Sequence, residues 1–99
     1  MSGGVGPDKN MFTWLNKQGV RSSEGFEVQF TSRDTAEYRE GHRYLVVDIE
    51  GGANGFISFD KSAFERFANS AEENGAEKQA QIMKNFIAAL KFQGLKGIP

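Results

Sequence analysis

The amino-acid sequence predicts a small α+β domain, in which a three- or four-stranded antiparallel meander precedes two helices and the longer, C-terminal helix packs on one sheet face. Three observations support this prediction: apolar residues alternate strictly over residues 26–30, a glycine turn joins the next two strand-like runs, and the apolar period changes from 2 to 3.6 after residue 59. The chain has 99 residues, which suits one hydrophobic core. We therefore assign residues 11–99 to a single domain, preceded by a flexible lead over residues 1–10.

The first segments of the domain differ in how clearly they predict structure. Residues 11–15 are a short apolar run that fits either an edge strand or a helical turn, and the polar residues 16–25 predict a loop. Residues 26–30 predict a half-buried strand, because Phe26 and Val28 share a face with Phe30 while polar side chains occupy the other face.

A β-hairpin is predicted next, from residues 35–40 and 43–50, because Gly41 can supply the positive φ that a two-residue turn requires. The second arm has apolar residues on both faces, which indicates a strand covered on each side, at least near its start. These residues are Leu45, Val47 and Ile49 on one face and Tyr44 and Val46 on the other. Residues 51–55 predict a glycine-rich turn, and residues 56–59 predict the last strand.

Two helices follow in the prediction. Ser62 and Glu65 have the spacing of a capping box, which indicates a short helix. Its apolar stripe would be Phe64, Phe67, Ala68 and Ala71. A second and longer helix begins near residues 74–77, and its stripe is Ile82, Met83, Phe86, Ile87 and Leu90. It should end at Gly94 in the left-handed conformation, with Leu95 against Leu90 in a Schellman motif.

The amino-acid composition argues against several classes of protein. The chain has no cysteine and no apolar run long enough to cross a membrane, so we expect a soluble cytoplasmic protein without a signal peptide and without disulfides. Its net charge of −1 argues against nucleic-acid binding, which usually requires a basic surface.

The charge is unevenly distributed. Residues 44–77 contain seven acids and two bases, whereas residues 78–99 contain four bases and no acid. This pattern is typical of a solvated helix junction, and it also fits a surface that attracts a basic partner. The predicted partner-binding residues are Asp48, Glu50, Glu72 and Glu73, with Trp14 and Tyr38 as aromatic anchors that would equally suit the core.

Residues with catalytic or ligating chemistry are few. His42 is the only histidine and lies in the predicted hairpin turn, so a zinc cage or a Ser-His pair is not expected. Asp48, Glu50 and Asp60 lie near the ends of neighbouring strands, where they could serve a hydrolase or simply solvate the sheet edge. The glycines of residues 51–55 lack the spacing of a phosphate-binding loop. We predict no catalytic residue, no cofactor and no metal site.

Two segments resemble a known family. These are residues 24–30 continuing through the hairpin to Glu50, with its Tyr-x-Glu-Gly-x-Arg turn, and residues 82–95, which read Asn-x-x-x-Ala-Leu-x-Phe-x-Gly from Asn85. They resemble a small α+β family of bacterial immunity proteins, which are encoded beside polymorphic toxins. The resemblance implies a stoichiometric inhibitor that obstructs a toxin without chemistry of its own, and it transfers no binding residue.

Three functions therefore remain open from the sequence. The leading hypothesis is an immunity protein that binds a cognate toxin domain, with a basic nuclease as one candidate partner. The alternative is a small adaptor or regulatory binding domain, homodimeric through an exposed sheet edge. The third is a small hydrolase that uses Asp48, Glu50 or Asp60.

Overall fold

A computed structural model describes residues 11–98, so the predicted flexible lead at residues 1–10 lies outside the described part of the chain. One sheet contains seven strands in chain order. They are β1 (Phe12–Asn16), β2 (Gly19–Ser22), β3 (Phe26–Ser32), β4 (Thr35–Glu40), β5 (Arg43–Gly51), β6 (Phe56–Phe59) and β7 (Lys96–Ile98). Neighbours from β1 to β6 are antiparallel, and β7 joins β6 in parallel.

The described residues contain one α-helix, α1 (Ala76–Phe92). The predicted combination of a three- or four-stranded meander with two helices is therefore wrong, since the sheet is larger and the first helix is missing. The prediction is correct for the middle of the chain, where β3 to β6 follow the expected order and Gly41 has φ 61° in the turn between β4 and β5.

The loop predicted for residues 16–25 contains strand β2 instead. Val20 is fully buried and lies opposite Val28 of β3 on one side and Trp14 of β1 on the other. Pairing on both sides satisfies the backbone of a four-residue strand whose sequence is too short to indicate one. The open choice at residues 11–15 is resolved as the edge strand β1.

The predicted helix over residues 62–71 is replaced by a single 3₁₀ turn, Lys61–Glu65. Asp60 caps this turn by accepting a hydrogen bond from the Ser62 amide at 2.9 Å, a role the sequence analysis gave to Ser62. The chain then becomes extended at Arg66, and the Ala68 amide donates to the Tyr44 carbonyl at 2.7 Å. Contact with the start of β5 therefore competes successfully with helix formation.

The C-terminal helix has the predicted apolar stripe and the predicted end. Ile82, Phe86 and Leu90 are fully buried. The Leu95 amide donates to the Leu90 carbonyl at 2.9 Å, the Gly94 amide donates to the Lys91 carbonyl at 3.0 Å, and Gly94 has φ 84°. These bonds are those of a Schellman motif, and they direct the chain from α1 into β7.

The core lies between α1 and one sheet face, which we call the inner face. Buried side chains of β2 to β6 meet the helix there, for example Phe59 against Phe86 with ring centroids 5.1 Å apart. β5 connects two parts of the sheet, because residues 43–48 pair with β4 and residues 49–51 pair with β6. The sheet curls so that β1 also reaches the helix, where Phe12 lies 5.2 Å from Phe92.

The opposite, outer face of the sheet is not covered by any described element. Val46 on this face is 48% exposed. The prediction that β5 is covered on both sides is therefore wrong at Val46. At the start of the strand, Tyr44 is half-buried, and the Arg39 guanidinium lies 5.1 Å from its ring centroid.

Candidate protein-binding surfaces

Three carboxylates surround a shallow depression where β5 and β6 meet. Asp48 and Glu50 project from the outer face of β5, and Asp60 follows β6 directly. The depression has a volume of about 310 Å³ and is lined by Asp48, Ile49, Glu50, Ser58, Phe59 and Asp60. We call it the acidic depression.

The charges of the acidic depression are not neutralised by described neighbours. Asp48, Glu50 and Asp60 form no ion pair within 4 Å among residues 11–98, whereas Glu27 and Glu37 on the same sheet each bind an arginine at 2.9 Å. The amide and hydroxyl of Ser62 lower the pKa of Asp60 below its ordinary value by hydrogen bonding to its carboxylate. Asp60 therefore stays ionised to a lower pH than an isolated aspartate.

Glu72 and Glu73 lie elsewhere, in the turn before α1. The segment that precedes them is bound to the start of β5 through the Tyr44 carbonyl, which is four residues, or about 13 Å along the strand, before Asp48. Glu73 lies 3.6 Å from Arg66, and Glu72 has no ion pair among the described residues. Glu72 and Glu73 thus do not line the acidic depression, although Glu73 shares a neighbouring depression with Ser62, whose amide binds Asp60.

Trp14 lies at the open edge of the sheet and is 50% exposed. Its ring centroid is 5.6 Å from that of Phe92 at the end of α1, and Phe12 lies against the same ring. We call Phe12, Trp14 and Phe92 the aromatic edge. Its position fits an anchor for a partner, and that role stays a prediction.

Tyr38 cannot contact a partner, because the structure places it in the core with no exposed surface. Its hydroxyl donates a hydrogen bond to Glu40 and accepts one from the Asn85 amide at 2.9 Å. Glu40 also binds the Lys78 ammonium at 2.7 Å. Burial raises the pKa of Tyr38 well above its ordinary value, and the hydrogen bond to Glu40 adds to this shift.

This polar network joins β4 to α1, and its other three members are not among the residues predicted from the sequence. A signal for them exists in the sequence: Tyr38 and Glu40 are two residues apart on a strand, and Lys78 and Asn85 are seven apart on a helix. Each spacing places its pair on one face. Which strand face meets which helix face depends on the tertiary packing.

The remaining candidate residues give no indication of chemistry. His42 is exposed in the hairpin turn. Gly51 ends β5, and residues 52–55 form the predicted turn, with Asn54 at φ 61°. Within residues 11–98, no three His, Cys, Asp or Glu side chains are grouped closely enough to hold a metal ion. A groove of about 390 Å³ between α1 and β7 is lined by Ile87, Lys91, Gly94, Leu95, Lys96 and Gly97.

Comparisons with protein families, curated proteins and solved structures find no significant match to this chain. No helix in the described part of the chain has the length and apolar character needed to cross a membrane.

Proposed function

We propose that this protein is a cytoplasmic immunity protein, which binds a cognate toxin domain and blocks it by occupancy, without chemistry of its own. The proposal rests on the resemblance of the hairpin and the C-terminal helix to that family. The structural observation that supports it best is the acidic depression, where three carboxylates lie together on an uncovered sheet face without a basic partner.

The negative charge on the outer face favours a basic partner in this proposal. On the outer face, the opposite charges cancel within the Arg21–Glu27 pair and within the Arg39–Glu37 pair. The remaining net charge of this face comes from Asp48 and Glu50. A basic surface, such as the substrate-binding face of a nuclease, would be attracted to these carboxylates and would replace the missing counter-ions. Exposed Val46 lies opposite Glu37 and next to Asp48 on this face, where it can supply apolar contact area.

The alternative is an adaptor or regulatory domain that associates through a sheet edge. The observation in its favour is the open strand β1 with the exposed Trp14. The two functions differ in their partner: an immunity protein requires a toxin encoded nearby, and an adaptor does not.

The first test is genetic. The proposal predicts that a neighbouring reading frame encodes a secreted protein with a C-terminal toxin domain. Expression of that domain should arrest growth, and co-expression of this chain should restore it. Failure of the chain to protect against the neighbouring toxin would refute the immunity function.

The second test measures association between the purified chain and the inactivated toxin domain by stopped flow. The Asp48→Lys/Glu50→Lys variant should associate at least about tenfold more slowly at low salt, and the difference should shrink as salt is added. The matched control is Glu72→Lys/Glu73→Lys, which makes the same charge change outside the lining of the acidic depression. Equal effects of the two double variants would mean that net charge, and not the acidic depression, directs association.

A further inference from the structure

Strand β1 presents backbone hydrogen-bonding groups that no described residue uses. The Ser23 amide donates to the Met11 carbonyl at 2.9 Å, and Thr13 lies opposite Arg21, so the backbone groups of Met11 and Thr13 point towards β2. In an antiparallel ladder the direction alternates from one residue to the next. The N–H and C=O groups of Phe12 and Trp14 therefore point away from the sheet.

The same strand displays much of the exposed apolar surface of the described chain. Met11 is 74% exposed, Trp14 50%, Leu15 38% and the neighbouring Phe92 42%. Soluble proteins usually protect open edges with lysine, proline or a central bulge. Residues 12–15 contain no charged residue and no proline, and the bulge in the β1–β2 pairing comes only after Trp14.

We propose that β1 pairs antiparallel with β1 of a second copy of this chain, about a two-fold axis at Thr13. In this register Phe12 lies opposite Trp14 of the second copy, and the reverse pair is equivalent. Both residues with free backbone groups then form hydrogen-bonded pairs, which gives four new hydrogen bonds. On the outer face, Met11 lies opposite Leu15 of the second copy.

The partner strand is assigned to a second copy of the chain because β1 is complementary to itself. A two-fold contact must match a surface to itself, and here each aromatic residue meets an aromatic residue and each aliphatic residue meets an aliphatic one. No like charges are brought together within residues 12–15. Two seven-stranded sheets would become one continuous sheet.

The available area sets the strength of the contact. The exposed parts of Met11, Trp14, Leu15 and Phe92 amount to roughly 400 Å² per copy if a large side chain has about 200 Å². A standard interface buries about 800 Å² per partner, so we expect a reversible dimer in the micromolar range. The contact does not use the acidic depression, and it therefore does not depend on the proposed immunity function.

Sedimentation or light scattering of the full chain between about 1 and 500 µM, a range chosen around the expected affinity, tests the association. The parent should shift from monomer to dimer, with a blue shift of the emission of Trp14, which is the only tryptophan. Trp14→Lys should weaken the dimer at least about 30-fold, which corresponds to an interface hot spot of about 2 kcal/mol. Val46→Lys changes a residue of similar exposure on the outer face and should leave the dimer intact. A parent that stays monomeric, or equal effects of both variants, would overturn the proposal.

Cysteine cross-linking tests the register, because the chain has no cysteine of its own. At the two-fold axis the Cα atoms of the two Thr13 residues would be about 4.5 Å apart, which is within the range of a disulfide. Thr13→Cys should therefore form a disulfide-linked dimer on mild oxidation. Thr31→Cys, at an exposed position of the internal strand β3, should not. A dimer in which Thr13→Cys fails to cross-link, or cross-links no faster than Thr31→Cys, would refute the proposed pairing.

Discussion

Replacement of Tyr38 by phenylalanine removes one hydroxyl from the polar network between β4 and α1. The Asn85 amide loses its acceptor and Glu40 loses one of its donors, while Glu40 keeps the Lys78 ammonium at 2.7 Å. An unsatisfied polar group in a buried site costs about 1–3 kcal/mol. At pH 7 we expect the free energy of unfolding of Tyr38→Phe to be lower than that of the parent by this amount.

The stability difference should depend on pH in a defined direction. The folded-state pKa of Tyr38 is raised above the ordinary value of 10.0, so above pH 10 the unfolded chain releases a proton that the folded chain keeps. The stabilising contribution is complete below pH 10 and falls at higher pH, by about 1.4 kcal/mol at pH 11. The advantage of the parent over Tyr38→Phe should therefore shrink by about 1.4 kcal/mol as the pH rises from 9 to 11.

Urea unfolding followed by circular dichroism at pH 7, 9, 10 and 11 measures both quantities. Tyr44→Phe is the matched control, because the Tyr44 hydroxyl makes no hydrogen bond with the described residues and its ring lies on the outer face under Arg39. The difference between parent and Tyr44→Phe should be small at pH 7. If the gap between parent and Tyr38→Phe stayed constant up to pH 11, the buried role of the Tyr38 hydroxyl would be refuted.

Two further substitutions test the packing of the core. Gly97→Ala should destabilise the protein by about 1–3 kcal/mol in urea unfolding, because the new Cβ would lie 2.9 Å from Leu90 Cδ1. The control Gly51→Ala should be close to neutral, because there is space for a Cβ at that position. Equal effects of the two substitutions would contradict the close approach of β7 to α1. Phe86→Ala should lower the free energy of unfolding by about 3–5 kcal/mol in thermal or urea unfolding, since Phe86 is fully buried. The control Phe56→Ala, at a 37% exposed position, should lower it much less. Comparable losses of stability would mean that α1 does not cover the inner face of the sheet.

The parts of the fold that were predicted correctly are those with strong local signals. The alternation of residues 26–30 and the turn at Gly41 identify β3 and the β4–β5 hairpin without knowledge of their neighbours. The stripe of α1 and the Schellman end at Gly94 are equally local, because they depend on contacts within about six residues.

The errors come from segments whose conformation depends on distant residues. β2 has four residues and β7 has three, and each is a strand only because a neighbouring strand supplies its hydrogen bonds. The short helix predicted for residues 62–71 had a plausible local pattern. It loses to a 3₁₀ turn followed by an extended segment, which together bury Phe64 and Phe67 and bond to the start of β5.

Some properties of the candidate site residues follow from local sequence, and others depend on distant residues. The sequence correctly indicates that Asp48, Glu50 and Asp60 lie at the ends of adjacent strands, and the structure brings them around one depression. It does not indicate that Glu72 and Glu73 lie outside the lining of that depression, or that Tyr38 is buried. Both facts depend on how the chain after β6 returns across the sheet.

The sequence by itself therefore determined the strands and the helix whose apolar periods are long enough to select one face. It also determined the charge asymmetry between the middle of the chain and its C-terminal end. Only the tertiary structure decided the number of strands, the edge position of β1 among the described strands and the burial of Tyr38. The physical reason is that backbone pairing and side-chain burial are satisfied by residues far apart in the chain, and a local pattern contains no information about which distant residues will supply them.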